Sequence, residues 1–203
     1  MNYSLEDEWI SLIALRILEI SLICIVYKNH IISIMGINSP FKVIKELFLG
    51  LFIALAGLGA FFALNKAAGA LYGQELMDML QLGGGQNKGH LPLEMIIAAI
   101  FIGPFAEELF FRGVLVHHIQ KGRTQLFSKI LYDLFLSFLF VWPHLKMKQD
   151  LALVQQLPEA LIWTCCALTT LQLYHWRQSI ISSWVLHASA NACLFSLAAG
   201  YWS

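Results

Sequence analysis

Charge is what this chain has least of. Asp, Glu, Lys and Arg make up 13% of its 203 residues, against about 25% in an ordinary soluble domain. That is too little charge to cover the surface of a soluble protein of this size, so the first expectation is an integral membrane protein. Thirteen basic and thirteen acidic residues cancel, and no net charge draws the chain to nucleic acid. Cysteine is sparse too. Cys24, Cys165, Cys166 and Cys193 lie in apolar stretches and form no CxxC pair, which leaves a redox or metal motif unsupported and reads as small apolar packing residues. Neither HExxH nor GxSxG occurs, so the signatures of a zinc peptidase and of a serine hydrolase are missing. The residues before the first apolar block are Glu6, Asp7 and Glu8, where a signal peptide would be basic.

What is present is apolar sequence in long blocks; 58% of the chain is hydrophobic. Ser179 to Ser203 and Leu47 to Leu64 each lack any charged residue, and a bilayer crossing needs roughly 20 mostly apolar residues. The pattern predicts an all-α fold, a polytopic bundle of about six transmembrane helices. The crossings run roughly Trp9 to Tyr27, Val43 to Leu64, Leu91 to His118, Leu126 to Leu145, Asp150 to Tyr174 and Ser179 to Tyr201. Pro104 and Pro158 predict kinks in the third and fifth. GGGQNKG at Gly83 to Gly89 reads as a flexible loop, and Glu75 to Leu82 as a short surface piece. No internal repeat or second domain is visible.

Basic residues favour the cytoplasmic side. Lys28, Lys42 and Lys45 fall in one loop, Lys121, Arg123 and Lys129 in another, and Arg177 in a third. With six crossings these loops share a side, which places both termini outside.

Ionisable residues inside a span are costly and point to function. Arg16 and Glu19, three apart in the first span, can meet on one helix face. Three further sets stand out: GPFAEELFFRG at Gly103 to Gly113, FVWPH at Phe140 to His144, and HASAN at His187 to Asn191. At about 100° per residue, Glu107 and Glu108 point in different directions. Arg112 is four residues after Glu108, the favourable ion-pair spacing, so Glu108 and Arg112 are expected to pair and Glu107 to lack that partner. A carboxylate in a low-dielectric site suits a general base near neutral pH. From this segment alone a structural cluster and a catalytic one both remain open. His144 alone reads as an interfacial or satisfied core residue as readily as a functional one. His187 and Asn191, four apart, share a face and can donate hydrogen bonds to developing negative charge; helix–helix glue is the alternative. Measured from helix ends on one side at ~1.5 Å per residue, Glu107 lies roughly 18 Å deep, Asn191 roughly 20 Å, and His144 roughly 21 to 27 Å. One shared pocket is allowed.

The three sets in this order resemble the EExxxR, FxxxH and HxxxN motifs of the CAAX-protease and bacteriocin-processing (Abi) family of intramembrane glutamic proteases. EELFFR supplies Glu107, Glu108 and Arg112; FVWPH supplies Phe140 and His144; HASAN supplies His187 and Asn191. The resemblance covers roughly Leu91 to Gly200. It implies residues 1–90 as leading transmembrane helices with a flexible loop and 91–203 as a catalytic core with four core helices, in one integrated membrane domain. It also implies peptide-bond hydrolysis with no cofactor and no metal. Glu107, with His144, would activate water; His187 and Asn191 would stabilise the oxyanion; Glu108, Arg112 and Phe140 would support the site. The partners implied are the lipid bilayer and a membrane protein or peptide substrate. Pro143 directly before His144 departs from the expected pattern, as does the chain's end just after the third motif. The short form points to a prokaryotic member in a cytoplasmic membrane. A non-proteolytic scaffold or immunity protein, and a proton-coupled transporter, are the competing readings.

Overall fold

The computed structural model describes residues 5–72, 93–116, 126–146 and 153–198. The regular structure among them is all helical. The elements are α1 (Leu5–Val26), α2 (Ile31–Met35), α3 (Pro40–Tyr72), then α4 (Leu93–Ile97), π1 (Ala98–Ile102), α5 (Gly103–Glu108) and π2 (Leu109–Val116) as one composite helix, and α6 (Leu126–Lys146), α7 (Leu153–Arg177) and α8 (Ile180–Ala198). The six apolar blocks thus become six long helical segments. The predicted surface piece at Glu75 to Leu82 and the loop at Gly83 to Gly89 lie outside the described residues.

The Pro104 region differs from a simple kink. Gly103 donates its backbone N–H to Ala98 O, an i→i−5 bond. Pro104 has no N–H to continue that register. The helix widens into a π turn just before the proline and resumes as α5. π turns inside helices mark functional sites more often than ordinary helix does. No such change occurs at Pro158, where α7 runs on as α-helix.

α8 is the hub. It packs on α3 and α7 and on the composite helix; α1 also packs on the composite helix, and α6 packs on α7. Small residues set the closest approach. A Cβ on Gly50 of α3 would stand 2.7 Å from the Ser182 carbonyl oxygen and 2.8 Å from Val185 Cβ. Such small-residue seams let helix backbones approach closely. α2 ends on Gly36, whose φ of 68° allows its N–H to bond Ile32 O and Ser33 O, the left-handed helix stop that glycine favours. A side chain there would strike the Gln178 backbone. The same contact is tied by Ser179 Oγ donating to Met35 O at 3.3 Å. Across the bundle, Arg177 at the end of α7 donates from Nη2 and Nε to Oε1 of the fully buried Glu46 at 2.6 and 3.0 Å. That hydrogen bond pushes the Arg177 guanidinium above its ordinary pKa and pins α3 to the α7–α8 turn.

The interior cluster joins Ile34, Leu109, Val116, Leu136, Leu171 and Ile180. The exterior is apolar as well: Phe48 and Phe52 are 69% and 70% exposed, and α1 and α6 show similar faces through Leu18, Leu22, Leu134 and Phe138. Among the described residues no helix is long and apolar enough to cross a membrane. The side chains of residues 61–72 in α3 and 194–198 in α8 lie outside that description.

Candidate active site

The composite helix carries two adjacent carboxylates into different environments, as the 100° step dictates. Glu108 is fully buried, and Arg112, one turn later, is 3% exposed. They form the expected ion pair, Arg112 Nη1 to Glu108 Oε1 at 3.3 Å. α7 completes the hold on the guanidinium: Nη2 donates to Ala167 O at 3.0 Å and to Thr170 Oγ1. The Phe140 ring of α6 lies under the same guanidinium, 5.0 Å from Arg112 Cζ, a cation–π contact that stabilises a desolvated cation.

His187 of α8 enters between the two carboxylates. Its Nδ1 is 3.1 Å from Glu108 Oε1, and its Nε2 is 3.8 Å from Glu107 Oε2. An ionised carboxylate can only accept, so Nδ1 carries the proton and donates to Glu108. Nε2 is then an acceptor in the neutral ring and a donor only in the imidazolium. Phe140 and Trp163 pack edge-on against the imidazole, with ring centroids 5.2 and 6.3 Å away. They fix its plane and keep the setting apolar.

Glu107 is not left unpaired. Arg16 of α1 donates from Nη2 to Glu107 Oε1 at 2.7 Å and from Nη1 to Glu19 Oε2 at 2.8 Å. The Arg16–Glu19 contact matches the sequence expectation. The reach to Glu107 does not follow from spacing, because it depends on how α1 packs. The one available signal was an arginine deep in an apolar block, whose five donors outnumber what Glu19 alone can accept.

Asn191, one turn beyond His187, meets the composite helix at a different level. Its Nδ2 donates to Ala99 O at 2.8 Å. Trp184 of α8 donates to Phe101 O nearby at 3.1 Å. The widened stretch before Pro104 is therefore where α8 is anchored. Buried polar atoms with no hydrogen-bond partner gather at this site among the described residues: Glu108 Oε2, Arg112 Nε, His187 Nε2 and Asn191 Oδ1. Unpaired buried polar atoms are rare enough in a folded protein to call for a functional reason.

The structure thus brings Glu107, Glu108, Arg112, Phe140 and His187 into one cluster and ties Asn191 to the helix that bears the carboxylates. The His144 backbone lies in the last turn of α6; its side chain lies outside the described residues. A model of the type II CAAX prenyl endopeptidase Rce1-like family matches residues 89–193, just over half of the chain and all three motifs. The chain belongs to this family. Comparison with curated proteins and with solved structures finds no match. Membership makes the chain a CAAX-type intramembrane protease at the family level, and the paired-glutamate cluster is where its chemistry is to be sought.

Proposed function

We propose that this protein is a glutamic-type endopeptidase working within the bilayer, and that it hydrolyses a peptide bond near the end of a membrane-associated protein or peptide. The observation that carries the reading is the face-to-face placement of Glu107 Oε2 and His187 Nε2, 3.8 Å apart. That is too long for a direct hydrogen bond and suits one water molecule held by both groups. Glu107 takes a proton from this water as its oxygen attacks the scissile carbonyl, with His144, four residues after Phe140, placed by its motif to share the task. Passing the proton to His187 Nε2 turns the ring into an imidazolium whose N–H then faces the tetrahedral oxyanion. Asn191 is the second donor to that oxyanion. Collapse of the intermediate returns the proton to the leaving amine and the new acid's remaining proton follows, so the products are a shortened chain ending in a carboxylate and a released fragment with an ammonium N-terminus. Glu108 and Arg112 hold the imidazole in the tautomer this sequence requires.

The apolar exterior supports placement in lipid, since a contiguous apolar surface of this extent is a liability in water. Residues 1–90 supply leading helices and 91–203 the catalytic core of one membrane domain, with both termini outside. The family name suggests a prenylated CAAX-type tail as the first substrate class to test. The deciding experiment uses the full chain in lipid nanodiscs with a fluorescence-quenched, prenylated CAAX peptide, and mass spectrometry of membrane peptides alongside. Glu107→Gln abolishes cleavage at unchanged thermal stability; retained cleavage overturns the assignment of the base.

A further inference from the structure

We propose that Arg16 of α1 is a positioning residue for Glu107, fixing one carboxylate oxygen so that the other faces His187. The inference rests on the reading of Glu107 as base and extends the active site to a helix outside the family-matched residues 89–193.

The geometry divides the work between the two carboxylate oxygens. Oε1 accepts from Arg16 Nη2 at 2.7 Å; Oε2 stands 3.8 Å from His187 Nε2. Without the first contact, the carboxylate is free to rotate about its last side-chain torsion, whose energy wells are broad. Arg16 is itself held, because Nη1 is bonded to Glu19 Oε2 at 2.8 Å. A planar guanidinium fixed at two corners presents its N–H groups in one direction. The side chains are 29% exposed for Arg16 and 15% for Glu107, so the contact is partly desolvated and unlike an open surface pair. Oε1 is thus committed to α1, and only Oε2 is turned toward the proposed nucleophile.

The other described charged or titratable groups near Glu107 do not duplicate this. His187 approaches the opposite oxygen from α8. Glu108 and Arg112, on the same composite helix, pair with each other, and Glu19 acts on Glu107 only through Arg16. Among the described residues, Arg16 is the cation in direct contact with the proposed base.

The test compares Arg16→Gln, Arg16→Lys and Glu107→Gln in nanodiscs by two readouts. The first is steady-state cleavage of the prenylated CAAX peptide across pH. The second is the infrared spectrum of the full chain, with Glu107→Gln identifying the carboxylate stretching bands of Glu107, which report its hydrogen bonding; this arm needs no substrate. Arg16→Gln is expected to lower kcat about ten- to a hundredfold, as misplaced catalytic groups do, with little change in KM. Its Glu107 carboxylate bands are expected to shift in frequency once the guanidinium hydrogen bond to Oε1 is gone. Arg16→Lys keeps the charge and loses the fork: the bands return toward the parent position while kcat stays reduced. Parent-like kcat and band position in Arg16→Gln overturn the proposal, and so does faster cleavage, which would make Arg16 a blocking group. If Glu107→Gln is inactive while Arg16→Gln behaves as the parent, only the role of Arg16 fails. If Glu107→Gln remains active, the reading of the base fails with it.

Discussion

Asn191 and Ala99 are joined by a single hydrogen bond, Nδ2 to the backbone carbonyl oxygen at 2.8 Å, and Pro104 explains why that carbonyl is available. In the i→i−5 register set by Gly103 and Ala98, the next donor would be the N–H that Pro104 lacks. The asparagine therefore satisfies the helix with one N–H, and in the proposed reaction its second serves the oxyanion. Asn191→Ala removes both. Cleavage is expected to fall about 10²- to 10³-fold in kcat, the usual cost of an oxyanion donor. The unpaired carbonyl adds a stability loss of about 1–3 kcal/mol. Kinetics and thermal unfolding in detergent, measured on one preparation, separate the two effects; a variant that loses stability but keeps its kcat would leave Asn191 as helix glue alone.

Arg112 satisfies a carboxylate that has no access to solvent. Glu108 is fully buried, and His187 at 1% exposure shares the same oxygen. Arg112→Ala strands that charge and is expected to cost about 3–5 kcal/mol, as breaking a buried pair does. Arg112→Lys keeps the charge but cannot reach Glu108 and the two α7 acceptors together, so it is expected to fall between alanine and the parent. Thermal denaturation of the three proteins in one detergent orders them, and equal melting temperatures would refute the buried-pair argument.

Much of this site was legible because helical periodicity is local. The Glu108–Arg112 pair and the common face of His187 and Asn191 follow from four-residue spacing alone. The described residues 93–116 and 126–146 are helical, within the expected spans apart from Lys146. What spacing could not give was tertiary. Arg16 reaches Glu107 across 91 positions of chain only because α1 packs on the composite helix. His187, expected as an oxyanion donor, is also clamped between two carboxylates. The π turn before Pro104 goes with the N–H that the proline lacks, and hydrophobic pattern does not encode it.

Gly50 and Gly57 lie on the same helix and predict opposite results. A Cβ at Gly50 meets the Ser182 backbone oxygen at 2.7 Å; at Gly57 it meets nothing within 4 Å among the described residues. Gly50→Ala therefore forces α3 and α8 apart and is expected to destabilise by about 1–3 kcal/mol, the cost of overpacking. Because α8 carries His187, cleavage should fall as well. Gly57→Ala is expected to stabilise slightly, since alanine favours helix over glycine by roughly 1 kcal/mol. Parallel melts of the two variants check both signs.

The proposed hydrolysis runs on side chains alone, and chelation tests this directly. Atoms bound to one tetrahedral zinc at about 2.0 Å stand roughly 3.3 Å apart, so the 3.8 Å between Glu107 Oε2 and His187 Nε2 does not by itself forbid a shared ion. The surrounding charges do oppose it. Glu107 Oε1 already accepts from Arg16, Glu108 is paired with Arg112 and with His187 Nδ1, and two guanidinium groups beside the site repel a divalent cation. Cleavage is therefore expected to survive EDTA and 1,10-phenanthroline. Complete loss with either chelator, restored by added zinc, would recast Glu107 and His187 as metal ligands.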